Sequence, residues 1–416
     1  MGYFRFYIKK NKLIGLKKMP LQEVNFPPPK LGEPYLLTPG PLTTAFEVKE
    51  AMLKDWGSWD GEFRDLTKKL RSSLLSLLGP EKKLYDCVPI QGSGTYAVEA
   101  MLGTFVPKDG KLLVLANGAY GLRAAQTMDY LNRNYHLLDK GDYLPPRGNE
   151  VADILENDKA ITHVLVIHCE TSSGILNPLE EIGAVVKSAG RKLLIDSMSA
   201  FGAVPVDPQR IEFEAMVSSA NKCIEGVPGF GFVFAKLSAL QASKGNCHSL
   251  SLDVEAQWSA MEKSGQWRFT PPTHVVAAFL TALEIHKKEG GVSGRGARYT
   301  NNRDIMVSGM RDLGFETLLD EQWLSPIIVT FFCPDDQAFD FQKFYDFMKS
   351  EGYIIYPGKL TVVDSFRIGC IGRMDAPVMK GVVAAAKKAL GSMGVKSAAP
   401  PKIALMERQR LSELKE

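Results

Sequence analysis

Short, almost wholly apolar runs alternate along this chain with stretches whose apolar positions recur at helical spacing. Leu112–Ala116, Val164–His168, Leu193–Asp196, Ala215–Ser218 and Phe230–Ala235 predict strands covered on both faces. Tyr96–Leu102, Gly121–Asn132, Leu179–Ala189 and Leu237–Ser243 carry the periodicity of helices. This alternation predicts an α/β protein, with a mostly parallel sheet sandwiched by helices. The composition changes after Gly290-Gly291. Beyond it, strands are expected at Ser325–Phe332, Ile354-Ile355-Tyr356 and Ser365–Gly369, with helices at Phe339–Ser350 and Ala376–Leu390. That pattern reads as a smaller C-terminal α+β domain. The expected division is a basic leader and Pro-rich linker over 1–33, a large domain over 34–290, a small domain over 291–395 and a charged helical tail over 396–416.

Composition narrows the class. A chain of 416 residues, 45% hydrophobic and 23% charged, can bury a large core. A net charge of +3 gives no reason to expect nucleic acid, and no basic run interleaved with aromatics points there. The six cysteines (Cys87, Cys169, Cys223, Cys247, Cys333 and Cys370) show no Cys-x-x-Cys spacing. The six histidines form no His-Glu-x-x-His. No metal is expected, and a reducing, cytoplasmic setting fits. No apolar run has the length to cross a bilayer. The first 22 residues hold Arg5, Lys9, Lys10, Lys12, Lys17 and Lys18 and no acid. They read as a disordered leader, or alternatively as a mitochondrial transit peptide.

The chemistry gathers at strand ends. Leu193-Leu194-Ile195 runs into Asp196-Ser197-Met198, and Ser218-Ser219-Ala220-Asn221 presents Lys222 in a small-residue turn. Pyridoxal phosphate needs an amine to condense with its aldehyde and a carboxylate to keep its pyridine nitrogen protonated. Lys222 is the candidate amine and Asp196 the candidate carboxylate. Either residue alone would read as ordinary surface or strand-end chemistry; together they do not. Gln91-Gly92-Ser93-Gly94-Thr95-Tyr96-Ala97 follows an apolar segment and opens a helix. Free N–H groups and the helix dipole suit the cofactor phosphate, with Ser93 and Thr95 adding hydroxyl donors. The same string satisfies the dinucleotide fingerprint G-x-G-x-x-A. That reading expects an acid at the end of the next strand, where Ala116-Asn117-Gly118 has none. Glu170, Asp196 and Lys222 all fall at or just beyond strand ends, where ligands collect in such sheets.

These residues resemble the fold-type I, class V pyridoxal phosphate-dependent aminotransferases, the subgroup of alanine–glyoxylate and serine transaminases. Within it the resemblance is closer to the branch acting on 2-aminoethylphosphonate and pyruvate. It is carried by Leu36–Thr43, Gln91–Ala100, Ser218–Phe230, Ser249–Asp253, Trp267–His274, Tyr356-Pro357-Gly358-Lys359 and Phe366–Gly369, in order from Tyr35 to Leu390. The resemblance implies a homodimer with a shared active site, and ping-pong transfer from the phosphonate to pyruvate, giving phosphonoacetaldehyde and L-alanine. It implies that Lys222 also moves the proton and that Asp196 holds the pyridinium. Ser93, Gly94, Thr95, Met198 and Asn221 would line the cofactor site, Tyr120 would stack on the pyridine face and Thr171 would bond its phenolic oxygen. Thr270 would reach the phosphate from the partner subunit. Arg367 would grip the acidic end of the substrate, since a guanidinium holds a carboxylate or phosphonate with two charged hydrogen bonds.

The chain departs from its relatives at Thr95, where they commonly have serine, and at Thr171-Ser172-Ser173, where they are threonine-rich. Both departures keep small or hydroxyl side chains. The alternatives are a carboxylate aminotransferase of the alanine–glyoxylate type, a cysteine desulfurase relying on Cys333, and a non-catalytic cofactor-binding module.

Overall fold

The computed structural model describes residues 25–358 and 363–413. Most of the basic leader and Lys359 of the Tyr356–Lys359 segment therefore lie outside the described residues. The first strand, β1 (Tyr35–Leu36), is followed by β2 (Tyr85–Gly92), β3 (Lys111–Ala116), β4 (Asn134–Asp139) and β5 (Ile161–Ile167). A short hairpin, β6 (Cys169–Glu170) and β7 (Ile175–Leu176), precedes β8 (Lys192–Asp196), β9 (Ala215–Ser219) and β10 (Gly229–Lys236). The remaining strands are β11 (Ile328–Phe332), β12 (Tyr353–Ile354), β13 (Tyr356–Pro357) and β14 (Ser365–Gly369).

Seven strands form the main sheet in the order β2-β10-β9-β8-β5-β3-β4. Within it β10 runs antiparallel to both neighbours, and the other pairs are parallel. Alternate side chains serve opposite faces. Leu113, Leu115, Val164, Val166, Leu193, Ile195 and Phe232 pack in one core with helices Gly61–Ser76 and Thr273–Lys288. Leu112, Val114, Leu165, Ile167, Leu194 and Val217 pack in a second with helices Gly94–Phe105 and Ala119–Tyr130. Burial on both faces is why these strands read as unbroken apolar runs. The sheet's parallel strands all deliver their carboxyl ends to one edge, and that edge carries the site.

A three-stranded antiparallel sheet, β11-β14-β13, anchors another core with Phe315, Phe331, Phe344, Phe366 and helix Ala376–Met393. Leu37 joins this core, and β1 pairs in parallel with β12. Ala398 and Ala404 are buried against it as well, and Arg408 donates to the Thr317 carbonyl at 2.6 Å. Among the described residues no helix is long and apolar enough to cross a membrane.

The predicted strands form within a few residues of their expected ends, with one division. Ile354-Ile355-Tyr356 splits between two sheets, with Ile355 fully buried at the crossing. Three elements give no clear apolar signal. β2 is interrupted by Asp86, Pro89 and Gln91, which an edge strand tolerates. The other edge, β4, has no fully buried position. Helix Gly291–Asp312 buries Arg295, Arg298, Tyr299 and Asn302, so the first half of its inward face is polar, and only then come Met306, Val307 and Met310. Arg298 pairs with Glu225 at 2.7 Å and with Glu289 at 2.8 Å, which satisfies the charge that hides the helix from a hydrophobicity reading.

Candidate active site

Helix Gly94–Phe105 starts where β2 ends. Its N-cap residue Ser93 is extended, and the Ser93 hydroxyl makes no capping bond. Ser93 and Thr95 are both exposed beside the helix's first N–H groups, an arrangement able to receive an anion. Gly94 permits a close approach: a Cβ there would fall 2.4 Å from Met198 Sδ. Met198 follows β8, so the helix start and the Asp196 turn lie against each other.

Asp196 closes β8 and is 6% exposed. Its Oδ1 accepts from the Met198 N–H at 2.9 Å. Burial pushes its carboxyl up to about 6, with Glu170 reinforcing and Met198 N–H, Lys222 and Arg123 opposing. Beside it His168 bonds the Ser197 hydroxyl through Nδ1 at 2.9 Å, and burial lowers its ring to about 4, so it is neutral. The raised Asp196 value has a thermodynamic consequence. An unfolded aspartate titrates near 3.9, so the group's contribution is intact below about pH 4 and lost as pH rises through 6. A rise of that size corresponds to about 3 kcal/mol. The cofactor-free Asp196→Asn variant should therefore exceed wild type in stability at pH 8 by up to about that amount, with the gap closing near pH 4. Urea denaturation at both pH values checks this, and a wild type as stable as the variant at pH 8 would contradict it.

Lys222 stands in the turn after β9, the neighbour of β8. Its Nζ donates to the Pro39 carbonyl at 2.6 Å and lies 3.4 Å from the Gly40 carbonyl. Gly40 has φ +109°, and a Cβ there would fall 2.7 Å from Lys222 Cδ and 2.9 Å from Nζ. The Thr38-Pro39-Gly40-Pro41 segment thus holds the amine, and glycine leaves it room. Asn221 Oδ1 accepts from the Ser219 hydroxyl at 3.1 Å. The Ser218 hydroxyl lies 3.3 Å from the carbonyls of Ser197 and Met198, tying the lysine turn to the aspartate turn.

Tyr120 sits in the first turn of helix Ala119–Tyr130, beyond β3, with the Arg123 guanidinium 4.9 Å from its ring. Buried Thr171 gives its carbonyl to Arg367 Nη1 at 2.9 Å. Arg367 lies on β14, 2% exposed, and its Nε donates to the Pro357 carbonyl at 3.1 Å. Burial lowers the guanidinium while Tyr120, Tyr356 and Glu170 support its charge. Among the described residues both of its hydrogen bonds go to neutral carbonyls.

Thr270 is exposed, and its carbonyl accepts from Gln91 Nε2 of the same chain at 2.9 Å, two residues before Ser93. Cys333 follows β11 and donates its N–H to the Asp364 carbonyl at 2.9 Å. Burial pushes its thiol up to about 12, which opposes the nucleophilic role a desulfurase would need. Gly40 beside the amine, Arg123 beside the Tyr120 ring and the fully buried Glu170 side chain behind them have tasks that the sequence pattern alone did not assign. For Glu170, an acid shortly after the apolar run Val164–Ile167 of β5 was the available signal.

The donor set suits a phosphorylated pyridine aldehyde: an uncapped helix start for the phosphate, a buried acid for the ring nitrogen, an amine for the aldehyde and a tyrosine for the ring face. The chain belongs to the class-V aminotransferase family, whose sequence profile matches residues 90–358. It is 69% identical to the 2-aminoethylphosphonate–pyruvate transaminase of Rhizobium meliloti (strain 1021) over 382 residues, 92% of this chain and 100% of that protein. Its fold is that of pyridoxamine–pyruvate aminotransferase from Mesorhizobium loti (TM-score 0.79, 22% identity, 93% of this chain and 99% of that one). Alanine–glyoxylate aminotransferase from Nostoc sp. shares it too (TM-score 0.78, 20% identity, 89% and 98% covered).

Proposed function

We propose that the chain transfers the amino group of 2-aminoethylphosphonate to pyruvate, giving phosphonoacetaldehyde and L-alanine. The observation that carries this reading is Arg367. It is a buried guanidinium that donates to the carbonyls of Thr171 and Pro357, and Thr171 lies beyond β5, the neighbour of the Asp196-bearing strand β8. A buried cation whose hydrogen bonds among the described residues go to neutral carbonyls is suited to an anionic substrate group, and its planar fork fits carboxylate and phosphonate alike. The identity to the Rhizobium meliloti transaminase, along that protein's full length, supports the phosphonate as donor.

Pyridoxal phosphate, when bound, supplies the electron sink for the carbanion formed at the substrate's amine-bearing carbon. We assign its phosphate to Ser93, Gly94, Thr95 and Asn221, its ring to Tyr120, Met198 and Asp196, its phenolic oxygen to Thr171 and its aldehyde to Lys222. Lys222 Nζ takes the proton from the substrate carbon and later returns one, acting first as base and then as acid. The Pro39 and Gly40 carbonyls hold that amine close to one position. Asp196, ionised beside a protonated ring nitrogen, keeps the positive charge on that nitrogen. Arg367 binds the phosphonate in one half-reaction and the pyruvate carboxylate in the other.

A homodimer with Thr270 shared across the interface is supported by the exposure of Thr270, Leu53 and Trp59 and by a groove of about 560 Å³ lined by Leu53, Trp56, Leu66 and Leu280. A cytoplasmic setting is supported by the free cysteines. A donor panel tests the reading. Transfer from 2-aminoethylphosphonate to pyruvate is expected to exceed transfer from L-serine or L-alanine to glyoxylate, and the reverse order would make the chain a carboxylate aminotransferase.

A further inference from the structure

We infer that Glu170 is a positioning residue, fixing the turn that carries Tyr120 and the Thr171–Arg367 contact as one unit. The inference rests on the transaminase reading above. Glu170 lies on β6, just beyond the end of β5, and is 0% exposed. Its Oε2 accepts from the backbone N–H groups of Tyr120 at 3.0 Å and Gly121 at 3.3 Å. Its Oε1 accepts from Ser172, through the N–H at 3.0 Å and the hydroxyl at 2.6 Å. The Ser172 hydroxyl in turn accepts from the Ala119 N–H at 3.1 Å. Between Glu170 and Ser172, Thr171 presents its carbonyl to Arg367.

One carboxylate therefore joins three things: the start of the Tyr120 helix, the 170–172 turn and, through Thr171, the guanidinium on β14. All four of these donors are uncharged. Burying a carboxylate among neutral donors costs free energy that an apolar residue would not. Burial indeed pushes the Glu170 carboxyl upward, against the pull of Ser172, Tyr120 and Gly121. What the carboxylate supplies in return is geometric: two acceptor oxygens that face donors on separate elements. If Tyr120 covers the cofactor and Arg367 holds the substrate anion, Glu170 sets the relation between them without touching either ligand.

Glu170→Gln tests this, because it keeps the shape but replaces one acceptor oxygen by an NH2 group. On either side that NH2 meets donors, Tyr120 and Gly121 or Ser172. Amide hydrogen exchange in the full-length protein should accelerate about tenfold at Tyr120 and Gly121 or at Ser172, the loss of one hydrogen bond to a charged group. In the cofactor-loaded protein, KM for both anionic substrates should rise and the visible circular dichroism of the cofactor should fall. Unchanged exchange at all three amides would overturn the inference. So would a lowered melting temperature with KM and circular dichroism intact, the mark of a purely structural role. If Glu170→Gln fails to fold, Ser172→Ala removes a donor to Oε1 and the acceptor of Ala119. It should move the same readouts less far, and no movement would overturn the inference. A wild type that ignores 2-aminoethylphosphonate would refute the substrate reading while leaving the exchange test in force.

Discussion

Lys222→Ala yields a folded protein that has lost amino transfer by a factor of about 10⁴ or more, the scale of losing both a covalent anchor and the proton carrier. The amine is held by the Pro39 and Gly40 carbonyls, and the absence of a side chain at Gly40 leaves it room. Lys222→Arg is the sharper variant. It keeps the positive charge, yet a guanidinium neither releases a proton near neutral pH nor condenses with an aldehyde. Both variants should lose kcat to the same extent while the melting temperature of the cofactor-free protein changes little, since Lys222 is only half-buried. Single-turnover kinetics on loaded protein check this. Retention of more than about one hundredth of wild-type kcat in Lys222→Ala would contradict the assignment.

Arg367→Lys raises KM for 2-aminoethylphosphonate and for pyruvate together, each by about 10- to 100-fold, while kcat falls less. Lysine preserves the charge but offers a point donor in place of a planar fork, so one of two parallel hydrogen bonds to the anion is lost. Its single nitrogen also cannot serve the Thr171 and Pro357 carbonyls, which Arg367 bonds through two separate nitrogens, and the anion all together. The parallel rise is the informative part. Ping-pong transfer brings both anions to the same guanidinium in turn, so a change confined to one substrate would mean that the other has its own anion site.

Much of this architecture was legible because the buried strands carry their burial in plain form. Leu112–Ala116, Val164–Ile167 and Leu193–Ile195 are apolar on both faces, and the sheet does cover both faces. Asp196 and Lys222 were conspicuous because a charged residue ends or follows such a run. Helix Gly291–Asp312 was not legible, because its buried Arg295 and Arg298 pair with Glu289, just ahead of the helix, and with Glu225, far upstream in the sequence. Glu170 was visible as a strand-end acid, but its task depends on N–H groups of Tyr120 and Gly121 about fifty positions away. Backbone donors leave no trace in side-chain identity. The same holds for Gly40: its family-like segment stood out, but the reason for the glycine lies across the fold in Lys222.

The central claim is a single site in which Lys222 and Arg367 serve two substrates in turn. An absorbance titration of the cofactor-loaded protein tests it most directly. Adding 2-aminoethylphosphonate alone should bleach the visible band, and pyruvate added afterwards should restore it with one equivalent of L-alanine formed. A band bleached by L-alanine but untouched by the phosphonate would contradict the account and leave a carboxylate aminotransferase in its place.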